Sequence, residues 1–195
     1  MKLAAIVEGE GETEALPVLV RRVAAEAAPD VTVIVDPVLR VPASKLRQEG
    51  QLERHVELCA RRLGGEGSIL VLLDCDWKDG CPKVDAPILL ERARRARPDR
   101  DIAVVLAYRE YETWFLAAFD SIRSSLKIAD AEAAPAEADA IRGAKEWLSA
   151  RMPRGASYSP VRDQARLTAV MDFKAARSSD SFDKFYREVA RILGN

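Results

Sequence analysis

Leu3-Ala4-Ala5-Ile6-Val7 runs directly into Glu8-Gly9-Glu10-Gly11-Glu12. A short continuous apolar run, a glycine-rich acidic turn, and a helical pattern from about Glu12 to Ala28 follow one another without a break. The pattern repeats downstream. Val31 to Val35 is a second β-branched run, ended by Asp36-Pro37, and residues 38–48 read as loop. Leu52, Val56, Cys59 and Leu63 recur at helical spacing, and Gly64-Gly65 closes that helix. Ser68 to Leu73 is a third strand, Ala86 to Ala96 a helix, and Ile102 to Ala107 a fourth strand. Apolar strands alternating with amphipathic helices predict an α/β fold with a mostly parallel sheet of about four strands, covered on both faces. Right-handed crossovers then put functional loops at the carboxyl ends of the strands.

After Ala107 the pattern changes. Tyr111, Trp114, Phe115 and Phe119 form an aromatic stripe at helical spacing, read as the seam between the sheet and a C-terminal helical part. Residues 129–140 are alanine- and acid-rich, a loop or short helix. Further helices are predicted at about Ile141–Met152, Asp163–Asp172 and Phe182–Leu193. The organisation expected is an α/β core over 1–107 and a helical extension over 108–195, packed together as one domain.

The 195 residues suffice for such a domain, and 48% hydrophobic with 31% charged residues is an ordinary globular balance. No apolar run approaches the ~20 residues of a spanning helix, and the N-terminus turns acidic too soon for a signal peptide. A cytoplasmic protein with no membrane association is expected. Cys59, Cys75 and Cys81 make no disulfide framework, and ordinary reduced thiols are favoured over a redox pair of Cys75 and Cys81. His55 is the only histidine, which excludes most zinc sites.

A net charge of −1 argues against unaided nucleic-acid binding. From Arg142 onward, however, basic residues outnumber acids, with Lys145, Arg151, Arg154, Arg162 and Arg166 among them. A phosphate-binding face and simple solvated helices both remain open readings.

Chemistry is sought at the strand ends. Glu8 follows the first strand, and Asp74-Cys75-Asp76 follows the third, where strand alternation sends both aspartates one way and Cys75 the other. Clustered acids repel unless a cation neutralises them, and oxygen-only ligands suit Mg²⁺ or Mn²⁺. Each piece alone reads better as capping or solvation; their conjunction at the expected strand ends points to a site.

Val7-Glu8-Gly9-Glu10-Gly11-Glu12 resembles the first Toprim motif, hydrophobic-Glu-Gly-x-x-Glu, and Leu72-Leu73-Asp74-Cys75-Asp76 resembles the second, hydrophobic-Asp-x-Asp. Toprim domains occur in topoisomerases, primases, recombination proteins and the nucleases of the overcoming-lysogenization-defect family. The chain further resembles a bacterial Toprim-like family, domain of unknown function 4276, over Val7–Leu19, Asp74–Pro82, Arg109–Ala117, Tyr158–Thr168 and Ser181–Phe185.

The resemblance implies that Glu8 is an acid/base or metal-binding glutamate, that Asp74 and Asp76 hold Mg²⁺, and that Glu12 supports a second metal or an outer contact. Glu112 is a further candidate ligand and Glu110 a weaker one, since residues two apart on a helix do not share a face. Tyr158, Asp163, Gln164 and Lys184 match the smaller family without assignable chemistry. The implied function is a Mg²⁺-dependent nuclease or phosphodiesterase acting on nucleic acid in bacterial defence or DNA processing. Arg151, Arg154 and Arg162 would contact phosphate, and a partner ATPase would deliver the substrate.

The alternative is a non-catalytic Toprim-like subunit that binds or regulates a partner, which exposed aromatic surface around Trp114 would favour. A topoisomerase or primase needs modules this length does not hold. In a haloacid-dehalogenase-like phosphatase the Asp-x-Asp motif follows the first strand, not the third. A receiver domain lacks the Gly-rich Glu8–Glu12 turn.

Overall fold

The computed structural model describes residues 1–194; Asn195, the last residue of the expected extension, lies outside the described residues. Four strands, β1 (Lys2–Val7), β2 (Ile34–Arg40), β3 (Ser68–Asp74) and β4 (Ile102–Ala107), form one sheet in the order β2-β1-β3-β4. Every pairing is parallel. The expected α/β architecture is therefore observed.

Side chains alternate across this sheet, as a strand's period of two requires. Leu3, Ala5, Val7, Leu70, Leu72, Ala103 and Val105 join one buried cluster. Ala4, Ile6, Ile69, Val71, Leu73, Val104 and Leu106 join the other. Helices α2 (Ala43–Leu46), α3 (Gln51–Leu63) and α4 (Pro82–Ala96) contribute to the second cluster. The first is covered by α1 (Glu10–Ala27) and by the C-terminal helices: α5 (Glu112–Ala117), α6 (Phe119–Ile122), α7 (Ala144–Arg151), α8 (Pro160–Val170), α9 (Phe173–Ala176) and α10 (Asp180–Ile192).

The aromatic stripe is the seam. Tyr111, Trp114, Phe115 and Phe119 are at most 1% exposed, and Trp114 lies 5.3 Å, ring to ring, from both Phe182 and Phe185 of α10. Residues beyond 107 thus supply more than half of the core on that face.

Several boundaries differ from the sequence expectation, among them the following three. β2 continues through Pro37 to Arg40, where a loop was expected. It is an edge strand, and the pairings Leu3↔Val35 and Ala5↔Val38 set two residues of β2 against one of β1. Such a bulge on an edge tolerates a proline that has no N–H to give. Residues 43–46 are helical rather than loop. α4 begins at Pro82, four residues before the expected start, because proline at the first helical position loses no hydrogen bond.

Candidate functional site

β1 and β3 are neighbours, with Val7 paired to Leu72. Glu8 and Asp74 therefore leave the sheet on adjacent strands, about 4.8 Å apart in parallel pairing. One oxygen of Glu8 accepts a hydrogen bond from the Ala43 N–H at 3.1 Å, while Oε2 is buried without a hydrogen-bond partner.

Glu12 is turned back on its own helix. Its carboxylate accepts from the N–H groups of Glu8 and Gly9 at 3.2 and 3.3 Å, in the third helical position from which a glutamate caps a helix start. A Cβ on Gly9 would stand 2.9 Å from that carboxylate, so glycine keeps the turn open.

β4 returns the chain to the same edge. The Tyr111 N–H donates to Asp74 Oδ1 at 2.8 Å, which fixes the loop that carries Glu110 and Glu112. Asp76 is exposed beyond the strand, and Cys75 turns the opposite way into the core, as alternation requires.

Lys145, near the start of α7, reaches into these acids. Its Nζ lies 2.7 Å from Glu110 Oε2, 3.0 Å from Glu112 Oε2 and 4.0 Å from Asp74 Oδ2. Glu110 also accepts from the Ala144 N–H at 2.9 Å. The two-apart argument against pairing Glu110 with Glu112 fails here, because Glu110 precedes α5 and is not helical. Tyr158, 7% exposed, donates its hydroxyl to Glu112 Oε1 at 2.8 Å.

One ammonium does not balance this many carboxylates. Burial, then the charges of Glu12 and Glu112, push Asp74 well above the usual carboxylate range against the pull of Lys145. Burial raises Glu12 to about 7, helped by Glu112 and Glu8. Glu112 is raised by burial despite Lys145 and Tyr158. Glu8 is raised by burial and by the charge of Asp76, against the Ala43 N–H. Lys145 moves the other way from an ordinary buried amine: burial lowers it, but Glu112 and Asp74 outweigh that and hold it firmly protonated. Both sides of the ion pair shift upward because one cation is shared among several acids.

An oxygen-only set with an unpartnered buried Glu8 Oε2 fits a hard divalent cation. Among the described residues no three metal-ligating side chains have converged on one point. Glu8, Asp74 and Asp76 would hold such an ion, with Glu12 and Glu112 behind them.

The model of the family described as domain of unknown function (DUF4276) matches residues 7–190, from the first acidic turn into α10. The chain belongs to the DUF4276 family. No curated protein matches its sequence. The C-terminal region of the Burkholderia pseudomallei OLD protein is similar in structure, with a TM-score of 0.51 and 14% identity over 98% of each chain. At that identity the likeness is one of fold alone.

The basic residues proposed for phosphate divide. Arg151 stacks on Trp147 at 3.6 Å and pairs with Glu132 at 3.4 Å. Arg162 pairs with Asp163 at 2.6 Å, and Asp163 in turn accepts from the Ser159 N–H at 2.9 Å. Arg154 is exposed. Lys145 was grouped with these in the sequence, and its role was missed. One signal existed: a lysine in the first turn of a helix opposes the helix dipole, so an acidic neighbour is to be sought. Trp114 is fully buried, which removes the exposed aromatic surface that would have favoured a docking subunit.

Proposed function

We propose that this DUF4276 protein is a metal-dependent phosphodiesterase acting on nucleic acid. The observation that carries the reading is the gathering of Glu8 and Asp74 at adjacent strand ends, with Asp76 just beyond, Glu12 and Glu112 behind, and a single lysine among them. A bound Mg²⁺ or Mn²⁺ would polarise a phosphate oxygen and lower the pKa of a coordinated water.

The chain's own groups supply the rest. Glu8, its carboxyl raised by burial, would hold the ion through its unpartnered Oε2 and keep it beside Asp74. Lys145 carries fixed positive charge beside Asp74 and can face the charge that develops on phosphate. Tyr158 holds Glu112 in position by its hydrogen bond. Exposed Arg154 is available for backbone contact, and delivery by a partner such as an ATPase suits the near-neutral net charge.

A second reading has its own support. Lys145 already neutralises part of the cluster without a metal, as in a Toprim-like subunit that serves a catalytic partner. Incubation with single- and double-stranded DNA and RNA in Mg²⁺ or Mn²⁺ separates the two. Cleavage that needs metal and disappears in Asp74→Ala/Asp76→Ala is expected. Absence of cleavage on every substrate favours the subunit, and cleavage that survives the substitution overturns the site.

A further inference from the structure

We infer that Arg47 and Arg109, two arginines mounted on aromatic rings beside the acidic cluster, form a clamp for the phosphodiester backbone of nucleic acid. The inference rests on the reading that this site takes nucleic acid, and it assigns the residues that seat it.

Arg47 ends the short helix α2, one turn after Ala43, whose N–H holds Glu8. Its backbone is pinned on both sides. The N–H donates to the Ala43 carbonyl at 2.9 Å, and the carbonyl accepts from Arg92 Nη1 at 3.2 Å. From there the exposed side chain lays its guanidinium over the Trp77 ring, 4.4 Å from the centroid. Trp77 directly follows Asp76. Arg109 comes from the next strand. It lies two residues before Tyr111, whose N–H holds Asp74, and its guanidinium stands 5.1 Å from the centroid of the Tyr108 ring. Asp74 and Ala107 are paired across β3 and β4, so Tyr108 leaves the sheet beside Asp74.

Elsewhere the arginines are largely spoken for by acids: Arg92 by Glu53, Arg97 by Asp99, Arg166 by Asp163. Among the described residues, neither Arg47 nor Arg109 has a carboxylate partner. The Arg47 side chain donates no hydrogen bond to the protein. Arg109 gives an Nη2 hydrogen to Tyr108 Oη at 3.2 Å, and its buried Nε has no partner. Contact with a ring face steadies the cation without using up its N–H donors, and their fork fits two phosphate oxygens. The mount also restricts the side chain, so less rotamer freedom is lost on binding.

Position completes the argument. Arg62 and Arg94 likewise lack a carboxylate partner, but they sit in the last turns of α3 and α4, which lead back to the starts of β3 and β4. That is the opposite edge of the sheet. At the acidic edge, a nucleic acid meets repulsion from Glu8, Asp74 and Asp76, while Lys145 is already shared with Glu110 and Glu112. Guanidinium charge that no protein acid takes up offsets this repulsion and holds the backbone phosphates beside the cluster.

The test follows the fluorescence anisotropy of a short labelled oligonucleotide, single-stranded and as a duplex, on the whole protein in Ca²⁺ over a range of salt. Arg47→Gln and Arg109→Gln should each weaken binding by about fivefold or more at low salt. Each should also flatten the dependence of log affinity on log salt by one phosphate contact, roughly 0.7 for a single strand and 0.9 for a duplex. Arg47→Lys and Arg109→Lys keep the charge and should keep the slope. Arg62→Gln and Arg94→Gln remove the same charge at the far edge and should leave affinity and slope unchanged. Equal losses in the far-edge variants would reduce the effect to net charge and overturn the inference. So would a slope unchanged in either Gln variant, a slope lost in the Lys variants too, or no binding of either oligonucleotide by the unmodified protein. Cleavage is read separately in Mg²⁺. A protein that binds through both arginines yet cuts nothing keeps the clamp and loses the phosphodiesterase reading. One that cuts, with affinity unaltered in the Gln variants, keeps that reading and loses the clamp.

Discussion

Lys145 carries the charge that lets several buried acids coexist in the metal-free protein. Its Nζ touches Glu110 and Glu112 and approaches Asp74, while about a third of its side chain remains exposed. Replacing it with methionine keeps most of the volume and removes the cation. Lys145→Met should destabilise the metal-free protein at pH 7 by about 1–3 kcal/mol, below the ~3–5 kcal/mol for breaking a fully buried pair because solvent screens the ammonium. The loss should be smaller at pH 5, because acids raised by burial take up protons more readily as pH falls and then need the lysine less. Urea denaturation at the two pH values measures both. An equal loss at each pH would mean that Lys145 contributes through its alkyl packing instead.

At the scale of elements, the site depends on how closely α1 approaches α8. A Cβ on Gly11 would stand 2.5 Å from the Pro160 carbonyl oxygen and 2.3 Å from Gln164 Oε1. The backbone contact has no flexible end to move aside. Gly11→Ala should cost about 1–3 kcal/mol by overpacking, with a lower denaturation midpoint and an unchanged m value; a neutral result would show that α8 can shift.

Which elements could be read from the sequence follows from the same physics. β1, β3, β4, α1 and α3 carry strong periodicity between glycine punctuation, and all lie where expected to within a few residues. Glu8 and Asp74 were readable because each directly follows such a strand. Pro37 hid the end of β2, since a proline at an edge bulge looks the same in sequence as one that ends a strand. Lys145 and Tyr158 could not be placed, because 33 and 46 residues separate them from the Glu112 they contact and no local period spans that distance.

For the molecule as a whole, the acidic cluster makes stability depend on pH. Glu12 has its folded pKa raised from 4.5 to about 7, so between those values the folded state holds more protons than the unfolded chain. Metal-free stability should therefore fall as pH rises through that window and level off above it, by about 3 kcal/mol for Glu12 alone. Glu8, Asp74 and Glu112 shift the same way and add to the slope. Mg²⁺ at a hundredfold its Kd should return about 2.7 kcal/mol at pH 7 and much less at pH 5. Thermal melts with and without Mg²⁺ across pH 4.5–8 check the sign. A stability that rises through the window would show that these acids are ionised and satisfied without metal.

The central claim is that Glu8, Asp74 and Asp76 hold a divalent cation. Titrating the metal-free protein with Mn²⁺ at pH 7, followed by electron paramagnetic resonance, tests it directly against Asp74→Asn/Asp76→Asn. Asparagine keeps an oxygen for the Tyr111 N–H, so the loop should stay in place. Saturable binding in the wild type, weakened at least tenfold in the variant, is the predicted result. No saturable binding, or equal binding by both proteins, would contradict it.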